Sequence, residues 1–169
     1  MAGIDPLTGI GLIPYGNREK GTCGDIERVV PPAAGTAQTI TDAANTTKFP
    51  GMTLLTDAVR RAAAGVKSTE AKATVVLITG GIETCDADPC ALGMALEASG
   101  LDFTAHVVGF GLTEDDGQAV ACLAENTGGK YIQVSDAGAE VDALKTTVVL
   151  AKLEPAPQPI PEPAPHPLR

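Results

Sequence analysis

Ala73-Thr74-Val75-Val76-Leu77-Ile78-Thr79-Gly80-Gly81 is the stretch on which the fold turns. Its continuous apolar run predicts a strand buried on both faces, because a strand with one wet face alternates polar and apolar residues. The glycine pair ends it. Helical segments are expected on either side, and the pattern supplies them. Residues 52–66 place Leu55, Val59, Ala62, Ala63 and Val66 at three- and four-residue spacing, the period of a helix face. After the strand, Asp88 is a natural N-cap, Pro89 fits a first helical position and Gly100 suits a C-terminal turn. Phe103–Phe110 (FTAHVVGF) repeats the buried-strand pattern. Thr113 can cap the next helix, with Glu114, Asp115 and Asp116 well placed against its dipole. Gly128 and Gly129 stop that helix, residues 130–135 read as a strand, and Asp136 caps a last helix to about Leu153. Strands alternating with helices predict an α/β fold, a mostly parallel sheet with helices on both faces.

The N-terminal part reads differently. Residues 9–16 (GIGLIPYG) form a short strand and turn, and residues 26–30 a second strand, so a hairpin around the polar loop 17–24 is expected. Between Pro31 and Pro50 the signal is weak, with a short helix near Ile40. At the other end, seven of the 13 prolines alternate from Pro155 to Pro167. Each proline removes a backbone donor, so residues 154–169 are read as an extended polyproline spacer at roughly 3.1 Å per residue. This leaves residues 1–153 as one domain and 154–169 as a Pro-rich tail or linker.

Composition excludes several classes. Twelve basic residues against 21 acidic ones give −9, with no Lys/Arg cluster, so no nucleic-acid or anionic-membrane surface is expected. No apolar run approaches the length of a membrane span. There is no phosphate-binding G-x-x-x-x-G-K-[ST], no complete dinucleotide fingerprint, and none of Ser68, Ser99 and Ser135 lies in G-x-S-x-G. His106 sits in an apolar strand, where a structural histidine is the plainer reading than a general base. Asp86 and Asp88 lie where α/β sheets put their sites, at the C-terminal end of a strand, but Asp88 already has a capping role. Asn45-Thr46-Thr47 is a glycosylation sequon of a kind that arises often by chance. The four cysteines, Cys23, Cys85, Cys90 and Cys122, do not have zinc-ligand spacing. They are either buried thiols or disulfides, and the tight turn between Cys85 and Cys90 makes that pair the expected bridge under oxidising conditions.

Several motifs in order resemble bacterial von Willebrand factor type A (VWA) domain proteins. These are Leu12-Ile13-Pro14-Tyr15-Gly16, Cys23-Gly24-Asp25-Ile26-Glu27, Gly51-Met52-Thr53-Leu54-Leu55-Thr56-Asp57-Ala58-Val59 and Leu77-Ile78-Thr79-Gly80-Gly81-Ile82-Glu83-Thr84-Cys85, the last followed by Asp88-Pro89-Cys90. His106-Val107-Val108-Gly109-Phe110-Gly111 and Ala124-Glu125-Asn126-Thr127-Gly128-Gly129 complete a resemblance over about residues 9–150. It implies a doubly wound, mostly parallel sheet with helices on both faces, used for adhesion or assembly in an extracytoplasmic setting. A Mg²⁺ or Ca²⁺ ion would sit at the top of the sheet.

The departures bear on function. Hard divalent cations want several oxygen ligands with neutralising charge. The resemblance places Thr53 at the family's threonine ligand, but Gly80 stands at the aspartate position and no Asp-x-Ser-x-Ser occurs. Thr53 is a remnant, and no bound cofactor is expected. The strand that carries the missing motif would be central, so the domain reads as N-terminally incomplete. The gap would close by pairing of the two halves, by strand donation, or not at all in a truncated product. If Met1 is the true start, the absence of a signal peptide points to the cytoplasm instead. The functional expectation is a non-enzymatic protein-binding or scaffold module, with no catalytic residues, no cofactor and a protein partner. The alternative is a small enzyme on the same sheet using Asp86, Asp88 and His106.

Overall fold

The computed structural model describes residues 7–67 and 72–153, and the proline-rich tail lies outside them. The chain is an α/β protein. A hairpin of β1 (Ile10–Leu12) and β2 (Val30–Ala33) is followed by α1 (Ala37–Thr46) and α2 (Leu55–Lys67). Then come β3 (Ala73–Thr79), α3 (Pro89–Ala98), β4 (Phe103–Phe110), α4 (Glu114–Asn126), β5 (Tyr131–Val134) and α5 (Ala137–Leu153). The strands β3, β4 and β5 make a parallel sheet in that order, and β1 and β2 a separate antiparallel pair.

The parallel sheet follows directly from its sequence. Alternate side chains of each strand point to opposite faces. On one face Leu77, Phe103, Ala105 and Val107 pack with Leu55, Val59 and Ala63 of α2, Leu92 of α3, and Val120, Leu123 and Ala124 of α4. On the other, Val108 and Val134 pack with Ala143 of α5, with Val76 and Ile132 beside them. Helices therefore cover both faces. The helix ends match the sequence signals as well. The Asp88 carboxylate accepts from Cys90 N at 2.8 Å and Ala91 N at 3.0 Å, and the Thr113 hydroxyl accepts from Asp116 N at 3.2 Å.

Three boundaries differ from the expectation. The second hairpin strand is Val30–Ala33, not residues 26–30, and Ile26 makes only an isolated bridge to Tyr15. Pro31 and Pro32 sit inside it, which an edge strand tolerates because nothing needs their missing N–H groups. The weak region yields a full ten-residue helix, α1, anchored by the buried Ile40. Helix α2 starts at Leu55 rather than residue 52 because Thr53 is held extended: Thr84 N donates to its carbonyl at 3.0 Å and its own N–H donates to Thr84 Oγ1 at 2.8 Å.

Strands β3 and β4 have similar composition and unequal burial. In β4, Phe103 through Gly109 are buried, whereas β3 has Val75 and Val76 half-buried and Ile78 41% exposed. The difference is positional. Strand β4 lies between two neighbours, and among the described residues β3 pairs with β4 alone.

Candidate functional site

The C-terminal end of the parallel sheet carries the loop 80–88, and its polar groups are spent on holding it. Thr79 is buried beneath the loop, and its hydroxyl donates to Gly81 O at 2.7 Å and accepts from Gly81 N at 3.3 Å. The Glu83 carboxylate accepts from Thr56 N at 2.9 Å and from Cys85 N at 3.0 Å. It thereby supplies α2 with a cap from 27 residues away, satisfying one of the orphan donors of the first turn. Beside it the Thr56 hydroxyl is buried without a hydrogen-bond partner. Asp86 takes φ 55°, a left-handed conformation that aspartate tolerates better than most side chains.

Two cysteine bridges join elements distant in sequence, one of them at this loop. Cys23 of the hairpin loop pairs with Cys85 (Cα–Cα 5.7 Å), and Cys90 of α3 pairs with Cys122 of α4 (5.2 Å). The expected Cys85–Cys90 bridge is therefore corrected: each of those two residues is taken by a partner from another element. The reason lies in packing. Gly93 lets α3 press against α4, where a Cβ would come 2.9 Å from the Asn126 Cβ, and that close approach brings Cys90 to Cys122.

The hairpin loop is ordered by a buried carboxylate. Asp25 accepts from the backbone N–H groups of Arg18 and Glu19 at 2.6 and 3.0 Å and from Arg18 Nε at 2.7 Å. These bonds, the backbone ones foremost, hold its pKa down to about 2. Tyr15 crosses from the hairpin to the parallel sheet, and its hydroxyl donates to the Ile78 carbonyl at 3.0 Å. Burial pushes the Tyr15 phenol above its ordinary range.

The residues singled out from the sequence do not form one cluster. Thr53 and Gly81 meet at the loop, where a Cβ on Gly81 would lie 3.3 Å from Thr53 Oγ1. Gly80 is exposed and offers no side-chain oxygen. Among the described residues no group of three or more His, Cys, Asp or Glu side chains is arranged to hold a metal ion. The donors present, neutral threonine hydroxyls with Glu83 engaged by two amides, do not fit a divalent cation. His106 is buried in the middle of β4, opposite Val76, and its Nδ1 accepts from Lys130 N at 3.0 Å. Asp88 is committed to the start of α3. Tyr15, Glu83, Cys23 and Cys122 shape this region without having been singled out as its components, because each acts across a long sequence separation with no local pattern.

The fold and site define an α/β domain with two disulfides, one stapling the sheet-end loop to the hairpin and one joining α3 to α4, an arrangement suited to an oxidising, extracytoplasmic environment. Among the described residues no helix is long and apolar enough to cross a membrane. No family model and no curated protein matches the chain. Among solved structures, it is similar to the conserved hypothetical protein BatB from Bacteroides thetaiotaomicron, with TM-score 0.62 and 14% identity over 86% of this chain and 80% of that one. An uncharacterized membrane-spanning protein from Vibrio fischeri aligns over 86% of this chain and 76% of that one, with TM-score 0.41 and 18% identity. The first of these likenesses shows the fold alone.

Proposed function

We propose that this chain is a non-enzymatic, VWA-like protein-binding or scaffold module of doubly wound topology, organised as one domain over residues 1–153 with a proline-rich spacer behind it. The observation that carries the reading is the open flank of β3. A strand of interior composition stands with no strand neighbour on one edge among the described residues, where the Tyr15 hydroxyl meets the Ile78 carbonyl, and with Ile78 exposed. Unpaired strand edges are templates for another chain's backbone, with side-chain pockets adding selectivity. Thr53, Gly80 and the sheet-end loop would then serve as a rigid platform beside the docked strand, not as a metal centre. The commitments of Asp88 to α3 and of His106 to the Lys130 amide support a non-catalytic reading.

Hydrogen exchange tests it. A blocked peptide of β-branched residues in the pattern of the family's first strand should slow exchange in residues 74–79 and 10–14. A proline-substituted copy of the peptide should leave both segments unchanged. Unaltered exchange with both peptides would mean that the hairpin and sheet already close on each other, and the reading would fail.

A further inference from the structure

On the flank of α2 lies a shallow, open cavity of about 430 Å³ lined by Ile13, Arg28, Arg61, Ala64 and Gly65. Two arginines in one small cavity stand out on a chain of net charge −9. Gly65 is what lets them meet. The Arg28 guanidinium lies across α2 at this position, where a Cβ would come 2.4 Å from Nη2 and 3.2 Å from Cζ. Arg61 precedes Gly65 by four residues and so occupies the neighbouring place on the same helix face. Its Nη1 donates to the Ile26 carbonyl at 3.0 Å, which ties the guanidinium to the hairpin and uses one of its five N–H donors. The ion pairs among the described residues belong to Arg18, Arg60 and Lys145, so neither cavity arginine has a carboxylate partner there. Two like charges lining one small cavity repel, and an anion between them removes that cost.

We propose that this cavity binds a carboxylate borne on a short aliphatic group, with Arg28 and Arg61 taking the oxygens and Ile13 and Ala64 covering the carbon. Each guanidinium presents a planar fork that matches a carboxylate in two parallel hydrogen bonds. Arginine takes phosphate equally well by that criterion. The apolar half of the wall decides against it, because a phosphate would lose hydration there with no carbon to bury. The ligand is either the side chain or C-terminus of a peptide or a small free acid, and the site does not depend on strand addition at β3.

The test is an NMR titration of the ¹⁵N-labelled, disulfide-intact protein at low ionic strength, following the arginine Nε–H signals and the Ile13 and Gly65 amides. The probes are propionate, inorganic phosphate, an alanine-rich peptide with a free C-terminus and the same peptide amidated. Saturable shifts with propionate or the free-acid peptide are expected, with phosphate weaker by roughly tenfold, about 1.4 kcal/mol. Tighter binding of the free-acid peptide than of propionate identifies a peptide source, and equal binding a small acid. Arg28→Gln should abolish saturation, and Gly65→Ala should weaken binding while keeping both charges, since its methyl displaces Arg28. Arg28 is exposed, so its variant should melt as the parent does. Shifts that never saturate with any probe, phosphate binding as tight as propionate, or binding unchanged in both variants would overturn the proposal.

Discussion

At the scale of single residues, Asp25 carries the clearest pH signature. Its carboxylate, ordinarily near 3.8, is held down to about 2 by two backbone amides and Arg18. A group with a depressed folded-state pKa contributes stability that is present above its unfolded value and lost as pH falls through the folded one. The contribution should therefore be intact above about pH 4 and vanish between roughly 4 and 2. Asp25→Asn should lower Tm at neutral pH and flatten the fall in Tm across that window. Thermal melts of both proteins from pH 2 to 7 check this, and parallel curves would refute it. A second residue with a sharp expectation is Gly129, at the turn from α4 into β5. A Cβ there would stand 1.9 Å from the Ala105 carbonyl oxygen, which is backbone in a central strand and cannot step aside. Gly129→Ala should cost about 1–3 kcal/mol in urea unfolding, against a few tenths for Gly24→Ser on the hairpin loop, where a Cβ would meet only the Thr22 hydroxyl at 3.7 Å. Local devices of this kind differ in how well a sequence displays them. The Asp88 and Thr113 caps are legible because their partners lie two or three residues away. Gly129 is legible only as a helix stop, and the Asp25 clamp not at all, since its partners lie six and seven residues back around an irregular loop.

At the scale of elements, the two bridges join pieces that lie far apart along the chain. Cys90–Cys122 ties α3 to α4 across 32 residues, and Cys23–Cys85 ties the hairpin loop to the sheet-end loop across 62. The chain-entropy relation gives about 4 kcal/mol for each closure, an upper figure because native strain and denatured-state structure reduce it. Peptide mapping without reduction should recover these two linkages and no Cys85–Cys90 peptide. A Cys90→Ala/Cys122→Ala variant should unfold at lower urea, and reduction of the parent should lower its Tm further than loss of either bridge alone. The pairing was hidden for a physical reason. Spacing along the chain made Cys85 and Cys90 neighbours, but which cysteines meet is fixed by how α3 lies on α4 and how the hairpin lies against the sheet. The strands β3 and β4 were the opposite case. Their apolar runs and flanking glycines state strand identity, and their boundaries match the sequence reading residue for residue, but the two-faced burial expected of β3 fails at Ile78, because among the described residues β3 has a strand neighbour on one side alone. Strand β2 was obscured by Pro31 and Pro32, which argue against a strand wherever its edge status is unknown.

At the scale of the whole molecule, the hairpin pair and the parallel sheet are tied together at one end. Cys23–Cys85, the paired Thr53 and Thr84, and the Tyr15 hydroxyl on Ile78 all act there. Helix α2 supports both bodies along the way, with Leu55, Val59 and Ala63 against the sheet and Ala58 packed with Ile26 and Leu54. Within the sheet-end loop the Thr79 hydroxyl takes the Gly81 amide, the Glu83 carboxylate the Cys85 amide and the Thr53 carbonyl the Thr84 amide, so protein groups hold its shape. The consequence is a prediction about metal. A cation that bound the folded protein at 100 times its dissociation constant would add about 2.7 kcal/mol, which a melt detects as several degrees. Millimolar Mg²⁺ or Ca²⁺ should instead leave Tm where EDTA leaves it, because Gly80 supplies no carboxylate and the Glu83 carboxylate is engaged by the Thr56 and Cys85 amides. Gly80→Asp separates the two possible reasons for such a result. If the missing carboxylate alone disables the site, this variant should gain a metal-dependent rise in Tm. If the remaining ligands are also absent, the added charge should do nothing. The neutral hydroxyls of Thr53 and Thr84 are too few to complete an oxygen shell, so no rise is expected in either protein. A rise of several degrees in the parent would overturn the reading and direct attention to Asp86, the exposed carboxylate of the same loop.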